Sequence, residues 1–407
     1  MEIYVVQPQD TVDVIAERTG ADVAAIINTN QLIYPYRLAV GQALLISGNV
    51  SGNVLGEMDD GAAWNMSGDV FGGITGAEEN GRKREIVSNG YAYPFISSWV
   101  LDQTLPYLSE LSVFSYGFTE AGALVPPAVD DTPMVQAARA AGTRATLTLT
   151  PLGPDGRFNN QLVSAVVNRP EVQTTLHRNL VRVMSEKGYD GLNIDFEYVL
   201  GTDRDAFTAF VDRTRRTFNA LGYYVSVALA PKYSDEQRGL LYEGMDYAGL
   251  GQAANSVLLM TYEWGYTYGQ PMAVAPIDQV RRVVEYALTR IPAEKISLGV
   301  PNYGYDWPLP YVRGTTRART LGNVEAVQLA IFYGVPIQFD ETAQSPYFRY
   351  WQYGVEHVVW FEDVRSYEAK FRLVEEYGLR GIGVWQIMQL FRAGWELLAD
   401  RFAIRKM

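Results

Sequence analysis

The sequence predicts an α/β protein built on a closed (β/α)8 barrel of the TIM type, preceded by a small α+β module. Three observations lead there. Between residues 85 and 407, eight strand-like segments (86–95, 111–118, 144–150, 189–196, 223–230, 256–262, 296–301 and 381–385) alternate with helical patterns. Side-chain parity within them separates small residues from bulky ones. Ser226, Ala228 and Ala230 alternate with Val225, Val227 and Leu229, and Gly381, Gly383 and Trp385 alternate with Ile382 and Val384. The competing architecture, an open doubly wound sheet, calls for a Gly-rich first turn that is missing.

Taken in order, residues 1–48 form a compact unit. A short strand around Ile3 and Val5 precedes a helix capped by Asp10 or Thr11 and carrying Val12, Ile15 and Ala16. Thr19-Gly20 ends it, and Asp22 caps a second helix carrying Val23, Ile26 and Ile27. A loop through Tyr34-Pro35-Tyr36 leads to a closing strand, Ala43-Leu44-Leu45-Ile46. This strand–helix–helix–strand plan, with Val6 to Thr11 at its start and Asn30-Gln31-Leu32 before Leu38 to Gln42, resembles a LysM module. The resemblance implies binding to the N-acetylglucosamine backbone of peptidoglycan or a chitin-like glycan.

Residues 49–84 are Gly-rich, with Asp59-Asp60-Gly61 and Phe71-Gly72-Gly73, and read as a linker or insertion. A phosphate-binding loop is rejected because no strand and helix flank those glycines. Residues 85–407 then carry the barrel. Between its fourth and fifth strands lies a helix with Thr202 at the cap position, Asp205 three residues on, and an apolar face of Phe207, Phe210, Val211, Phe218 and Leu221. The rhythm breaks once, between strands seven and eight. There a stretch of about 303–362, with Tyr303-Gly304-Tyr305-Asp306-Trp307 at its head, reads as a small α+β insertion that deepens the mouth of the barrel into a groove. His177 is expected on the surface of the helix before strand four.

Composition narrows the partners. A net charge of −12 argues against nucleic acid, which needs clustered Lys and Arg, and against an anionic membrane surface. With no Cys, thiol nucleophiles and zinc-thiolate sites are excluded, and two His make a multi-histidine metal site untenable, so neither metal nor cofactor is expected. The first residues, Met1 to Gln7, lack the basic segment of a secretory signal, and no apolar run reaches the roughly 20 residues of a membrane span. Synthesis in a cytoplasm is expected. The 27 Tyr, 16 Phe and 8 Trp supply flat apolar faces of the kind that stack on sugars.

The chemistry concentrates in Asp190-Gly191-Leu192-Asn193-Ile194-Asp195-Phe196-Glu197. Leu192, Ile194 and Phe196 point one way; Asn193, Asp195 and Glu197 point the other. A row of acids on one strand face is costly to bury and pushes the members' pKa values apart, which keeps a carboxyl protonated near neutral pH. Active sites of such barrels lie at the C-terminal strand ends, where Asp195, Glu197, Met260-Thr261-Tyr262-Glu263 and Trp385 all fall. Acids, a tyrosine and a tryptophan at one mouth suit a sugar. Asp195 and Glu197 are too close in sequence to flank a glycosidic bond as two opposed carboxylates, which leaves substrate assistance, with the sugar's own N-acetyl group as nucleophile.

The stretch 190–197 resembles the DxxDxDxE signature of glycoside hydrolase family 18, the chitinase-like enzymes. Met260-Thr261-Tyr262 resembles its second motif and Trp385 its floor tryptophan. Together with the LysM-like module, Asn89 to Pro94, Ala230-Pro231-Lys232 and Trp360 to Asp363, the likeness is to spore-cortex-lytic and spore-germination N-acetylglucosaminidases. It implies Glu197 as general acid/base, Asp195 as the group that orients the acetamido arm and steadies the oxazolinium ion, Tyr262 as a donor to the acetamido oxygen, and Trp385 as the platform under the sugar. Asn193, Glu263, Met260, Tyr93 and Tyr116 are further substrate-contact candidates, and Asp190, of opposite parity, is expected to bond nearby backbone. Two positions depart from the family pattern. Asn193 stands where an Asp usually shares a proton with Asp195, keeping the ability to hydrogen-bond it but not to exchange charge, and Glu263 stands where an Asp often follows the tyrosine. The expected activity is retaining cleavage of β-1,4 linkages of N-acetylglucosamine in peptidoglycan, with spore coat or cortex as the place of action. Chitin hydrolysis and a non-catalytic glycan-binding coat protein are the alternatives, and the presence of Glu197 speaks against the second.

Overall fold

The computed structural model describes residues 1–47, 83–153 and 156–407, so the expected linker at 49–84 falls outside the described residues except for Lys83 and Arg84. The N-terminal module pairs β1 (Glu2–Val5) with β2 (Ala43–Ile46) antiparallel around α1 (Val12–Thr19) and α2 (Val23–Thr29). Thr11 is the cap of α1, its hydroxyl accepting from Val14 N at 3.3 Å, and Asp22 caps α2 by accepting from Ala25 N at 2.8 Å. Val12, Ile15, Ile26, Leu44 and Ile46 close its own small core.

The eight barrel strands are β3 (Glu85–Ala92), β4 (Glu110–Phe118), β5 (Arg144–Leu149), β6 (Gly191–Ile194), β7 (Tyr224–Leu229), β8 (Ser256–Leu259), β9 (Ile296–Pro301) and, after the insertion, β15 (Gly381–Trp385). Each pairs in parallel with its sequence neighbour, and β15 returns to β3, which closes the ring. Around it run α3 (Ser98–Thr104), α4 (Thr132–Ala140), α5 (Asn160–Val167), α6 (Pro170–Lys187), α7 (Arg204–Asn219), α8 (Tyr247–Ala253), α9 (Ile277–Leu288), α11 (Val364–Glu376) and α12 (Arg392–Arg401). The large core lies between strands and helices, where the outward residues Leu147, Leu192, Ile194, Val225, Val227 and Leu298 are fully buried. No described helix is long and apolar enough to cross a membrane.

The insertion is a five-stranded antiparallel sheet in the order β11-β10-β14-β13-β12, made by β10 (Gly304–Pro308), β11 (Arg319–Leu321), β12 (Gln338–Asp340), β13 (Ser345–Gln352) and β14 (Val355–Trp360), with α10 (Asn323–Tyr333). Its two faces divide the aromatics. Leu321, Phe348, Tyr350 and Phe361 pack with α10 on one side, while Tyr303, Tyr305, Trp307 and Val358 turn toward the barrel mouth. The N-terminal module docks against both parts. Thr29 Oγ1 donates to Glu396 on α12 at 2.7 Å, Arg392 N donates to Gln31 Oε1 at 2.7 Å, and Ile337 N donates to Val40 O at 2.8 Å. Gly41 is required at this seam: its φ is +83°, and a Cβ there would lie 1.9 Å from Ile337 O.

Two local expectations are corrected. Thr202 does not cap a helix; a 3-10 turn, Gly201–Asp203, precedes α7, and the carboxylate of Asp203 is drawn to Ser164 and Asn168 on α5. His177 is not on the surface. It lies on the inner face of α6 with Gln173, Leu180 and Met184, and its Nε2 meets Thr214 Oγ1 at 2.9 Å. Its ring stacks on Phe210 and meets Phe218 edge-on. Burial lowers its pKa from 6.5 to about 4. As pH falls from 6.5 toward 4, the unfolded chain takes up this proton before the folded one does, so stability is full above 6.5 and declines below it. Replacing His177 by Gln should make the fall in melting temperature between pH 7 and pH 5 smaller than in the wild type, by the equivalent of about 2 kcal/mol.

Candidate active site

Strand β6 is short, and the ladder continues one residue beyond it through Asp195 N to Leu149 O at 2.9 Å. This places Asn193 inside the barrel, Asp195 at its rim and Glu197 on the loop just above, all on the inner face. Asp190 lies at the opposite end, where its Oδ2 accepts from Ala145 N at 3.1 Å, the backbone bond that its parity implied.

Asp195 is 5% exposed, and no described group hydrogen-bonds its Oδ1. Burial, and then the neighbouring Glu197 charge, hold its pKa well above the ordinary carboxylate range. Glu197 is partly buried, and burial followed by the charge of Glu263 raises its pKa to about 7. Glu263 is exposed at the mouth, and partial desolvation raises its pKa as well. Tyr303 and Tyr305 donate to its Oε1, the latter at 2.9 Å, and partly offset that rise. Glu263 has φ +68°, a left-handed conformation that turns the chain at the end of β8.

Tyr262 stands among these acids. Burial holds its hydroxyl above its ordinary pKa, with Asp195, Glu197 and Glu263 adding to the effect. Room for its ring comes from Gly299 on β9, where a Cβ would sit 2.8 Å from Tyr262 Cε1. Met260 packs half-buried against the core. Trp385, at the end of β15, is half-buried, with Phe114, Tyr91 and Tyr93 around it at ring separations of 4.7, 5.8 and 6.2 Å. Beside it a groove of about 470 Å³ opens between Tyr93, Phe95, Phe114, Val129 and Phe158.

The structure thus brings Asn193, Asp195, Glu197, Tyr262, Glu263, Trp385 and Tyr93 to one mouth. It does not bring Tyr116 there. Simple alternation from the inward Ser112 would point Tyr116 inward, but the register with β5 shifts between Val113 and Tyr116. Phe114 keeps the inward parity of Ser112, but beyond the shift Tyr116 is turned out and buried in the outer core, donating to Asp131 Oδ2 at 2.7 Å. The expected bond from Asn193 to Asp195 is also not made. The Asn193 amide is committed to Ser226 Oγ at 3.0 Å and accepts from Tyr91 OH at 3.3 Å. Tyr91, Ser226, Tyr303 and Tyr305 are site neighbours that the sequence reading had not singled out. The i, i+2, i+4 spacing of Tyr303, Tyr305 and Trp307 was the available signal for two of them.

A carboxyl whose folded pKa exceeds its unfolded value binds more protons folded than unfolded between the two, so stability falls as pH rises through that window. For Glu197 the window runs from 4.5 to about 7. Changing Glu197 to Gln should therefore stabilise the protein above pH 7, by up to about 3 kcal/mol, with the gain vanishing toward pH 4.5. Melting temperatures at pH 5 and pH 8 read this directly.

Comparison with known proteins accords with this geometry. The family model for Glycosyl hydrolases family 18 matches residues 139–389, and that for the LysM domain matches residues 4–47. A cortical fragment-lytic enzyme of Bacillus subtilis (strain 168) is 36% identical, over 100% of this chain and 99% of its own. The spore cortex-lytic enzyme SleL of Bacillus cereus superposes with a TM-score of 0.89 at 31% identity, covering 100% of this chain and 98% of its own. A chitinase from Chromobacterium violaceum superposes with a TM-score of 0.72 at 26% identity, covering 79% of this chain and 100% of its own.

Proposed function

The chain belongs to Glycosyl hydrolases family 18, and from that premise we propose that it is a retaining β-N-acetylglucosaminidase acting on cortex-type peptidoglycan through its substrate's own acetamido group. The observation that carries this reading is the pairing of Glu197, a carboxyl whose pKa lies near 7, with Asp195, a buried carboxyl whose Oδ1 lacks a donor. A sugar that supplies an amide N–H at that oxygen completes the site.

In the free site both carboxyls resist ionising. The acetamido N–H gives Asp195 the hydrogen bond that favours its charged form, and that charge in turn holds the proton on Glu197. Glu197 passes the proton to the glycosidic oxygen as the C1–O bond breaks, and the acetamido carbonyl oxygen closes on C1 to form an oxazolinium ion. Asp195 faces the positive nitrogen of that ion, and the Tyr262 hydroxyl donates to its oxygen. The leaving sugar departs, and Glu197, now a carboxylate, takes a proton from the water that opens the ring from the face it left. Two displacements at C1 retain configuration. Trp385 is the platform under the reacting sugar, and Tyr93 with Phe114 extends it toward the neighbouring groove. Asn193, tied to Tyr91 and Ser226, takes no proton, so the exchange is confined to Asp195 and Glu197.

Cortex is the preferred substrate because two relatives of full-length similarity are named for it, while the chitinase likeness covers less of the chain. The module of residues 1–48 holds the enzyme on the glycan and raises the local concentration of cleavable bonds. The segment 49–84 joins it to the catalytic residues 85–407.

Glu197→Gln should abolish reducing-end release from purified cortex while glycan pull-down persists; retained hydrolysis would sink the assignment. Side-by-side digests of cortex and chitin, read by mass spectrometry, should favour cortex fragments ending in N-acetylglucosamine, whereas a preference for chitin would move the substrate. The activity of the wild type should fall as pH rises through about 7, where Glu197 loses its proton. Removing the Glu263 charge with Glu263→Gln should move that limb to lower pH, because a like charge no longer holds the proton on Glu197. An upward or absent shift in kcat/KM profiles would contradict the coupling.

A further inference from the structure

Trp385 ends a strand, and beyond it, before α12, the chain keeps a single backbone bond to β3, from Ile387 N to Tyr91 O at 3.0 Å. Its carbonyl groups converge instead on one residue. Asn302, which follows β9 and is 3% exposed, donates from its backbone N to Trp385 O at 2.9 Å. Its side-chain Nδ2 donates to Gln386 O at 3.1 Å and Gln389 O at 2.9 Å. Its Oδ1 accepts from Asn323 Nδ2 at 3.2 Å and, at 3.3 Å, shares the single Tyr367 hydroxyl proton with Pro301 O at 3.1 Å. Every hydrogen-bonding site of this amide is thereby used, and its orientation is set from outside the mouth. Asn323 is the first residue of α10 in the insertion, and it is itself held by Glu362 N, which donates to its Oδ1 at 3.1 Å.

We propose that Asn302 is the positioning residue for the Trp385 platform, with Asn323 fixing the direction of its amide. The indole meets its aromatic neighbours at steep angles, 73° to Phe114, 66° to Tyr93 and 56° to Tyr91, so none of them stacks on its face. The height and tilt of the ring follow from where its backbone is anchored, and Asn302 anchors that backbone at three carbonyls. Only an amide fits the position. An Asp would set a carboxylate against two carbonyl oxygens, and a Leu of similar volume would leave both carbonyls and the Asn323 donor without a partner. The insertion is thus tied to the floor of the site as well as to its wall, since α10 supplies the group that orients the clamp.

This inference rests on the reading of Trp385 as the sugar platform. Its test is a mutant cycle in the full-length protein, using a fluorogenic glycoside of an N-acetylglucosamine oligosaccharide. Asn302→Leu should raise KM about tenfold, the loss of a tightly anchored contact, while the pH at which activity falls stays in place. Trp385→Ala should cost at least as much, and Asn302→Leu added to Trp385→Ala should cost nothing further, because a residue acting only through the indole has nothing left to position. If Asn302→Leu lowers activity by the same factor with and without Trp385, its role is general stability and the proposal is overturned. If Trp385→Ala leaves KM and kcat unchanged, the platform reading itself falls, and the clamp falls with it. Should Asn302→Leu fail to fold, Asn323→Ala removes one bond to the clamp and should show the same dependence on Trp385, in weaker form; independence there also overturns the proposal.

Discussion

Desolvation of carboxyl groups in one concave mouth is the constraint from which the remaining features follow. Asp195 and Glu197 are two residues apart, both on the inner face of a barrel whose outer face is packed with helices, so both are held in the mouth, Asp195 buried and Glu197 partly so. Water cannot stabilise their charges well, and like charges add to the effect, Glu197 acting on Asp195 and Glu263 on Glu197. A site of this kind costs stability at neutral pH, and the barrel offsets that with an outer shell of fully buried Leu, Ile, Val and Phe. In the proposed mechanism, what the cost provides is a proton for the glycosidic oxygen and an acceptor that the substrate's acetamido group completes.

The insertion makes this arrangement specific. Tyr303 and Tyr305 hold Glu263 where its like charge acts on Glu197, and Trp307 locks the same strand to the loop after β8 through Gly269 O at 3.0 Å. From the other side, α10 reaches the floor through Asn323 and Asn302. The wall of the groove and the Trp385 floor are therefore parts of one hydrogen-bonded body. The N-terminal module is fastened to that body as well, through Thr29, Gln31 and Val40.

Much of this was legible in the chain. The barrel followed from eight alternating segments, and the mouth from the odd-numbered residues of 193–197 and the short motif at 260–262. Misreadings came where a residue's direction depends on another strand or helix. The register shift opposite β5 turned Tyr116 out although it shares the parity of the inward Ser112 and Phe114, a change that no single-strand period contains. Asn193 found partners on β3 and β7 that sequence distance conceals. Asp203 left its own helix to serve α5, and His177 went inside because Phe210 and Phe218 of α7 make a pocket for its ring. Asn302 offers no signal in sequence at all, because its importance lies in the carbonyls of a loop more than eighty residues away.

The central claim is that the nucleophile belongs to the substrate. It is tested most directly with aryl N-acetylglucosaminides whose acetamido group carries none, one, two or three fluorines, each of which weakens the carbonyl oxygen as a nucleophile. A substrate-assisted enzyme should lose kcat/KM steeply and progressively along the series, and Glu197 should remain necessary throughout. Rates that stay flat across the series would place the nucleophile on the protein or on water and contradict the account.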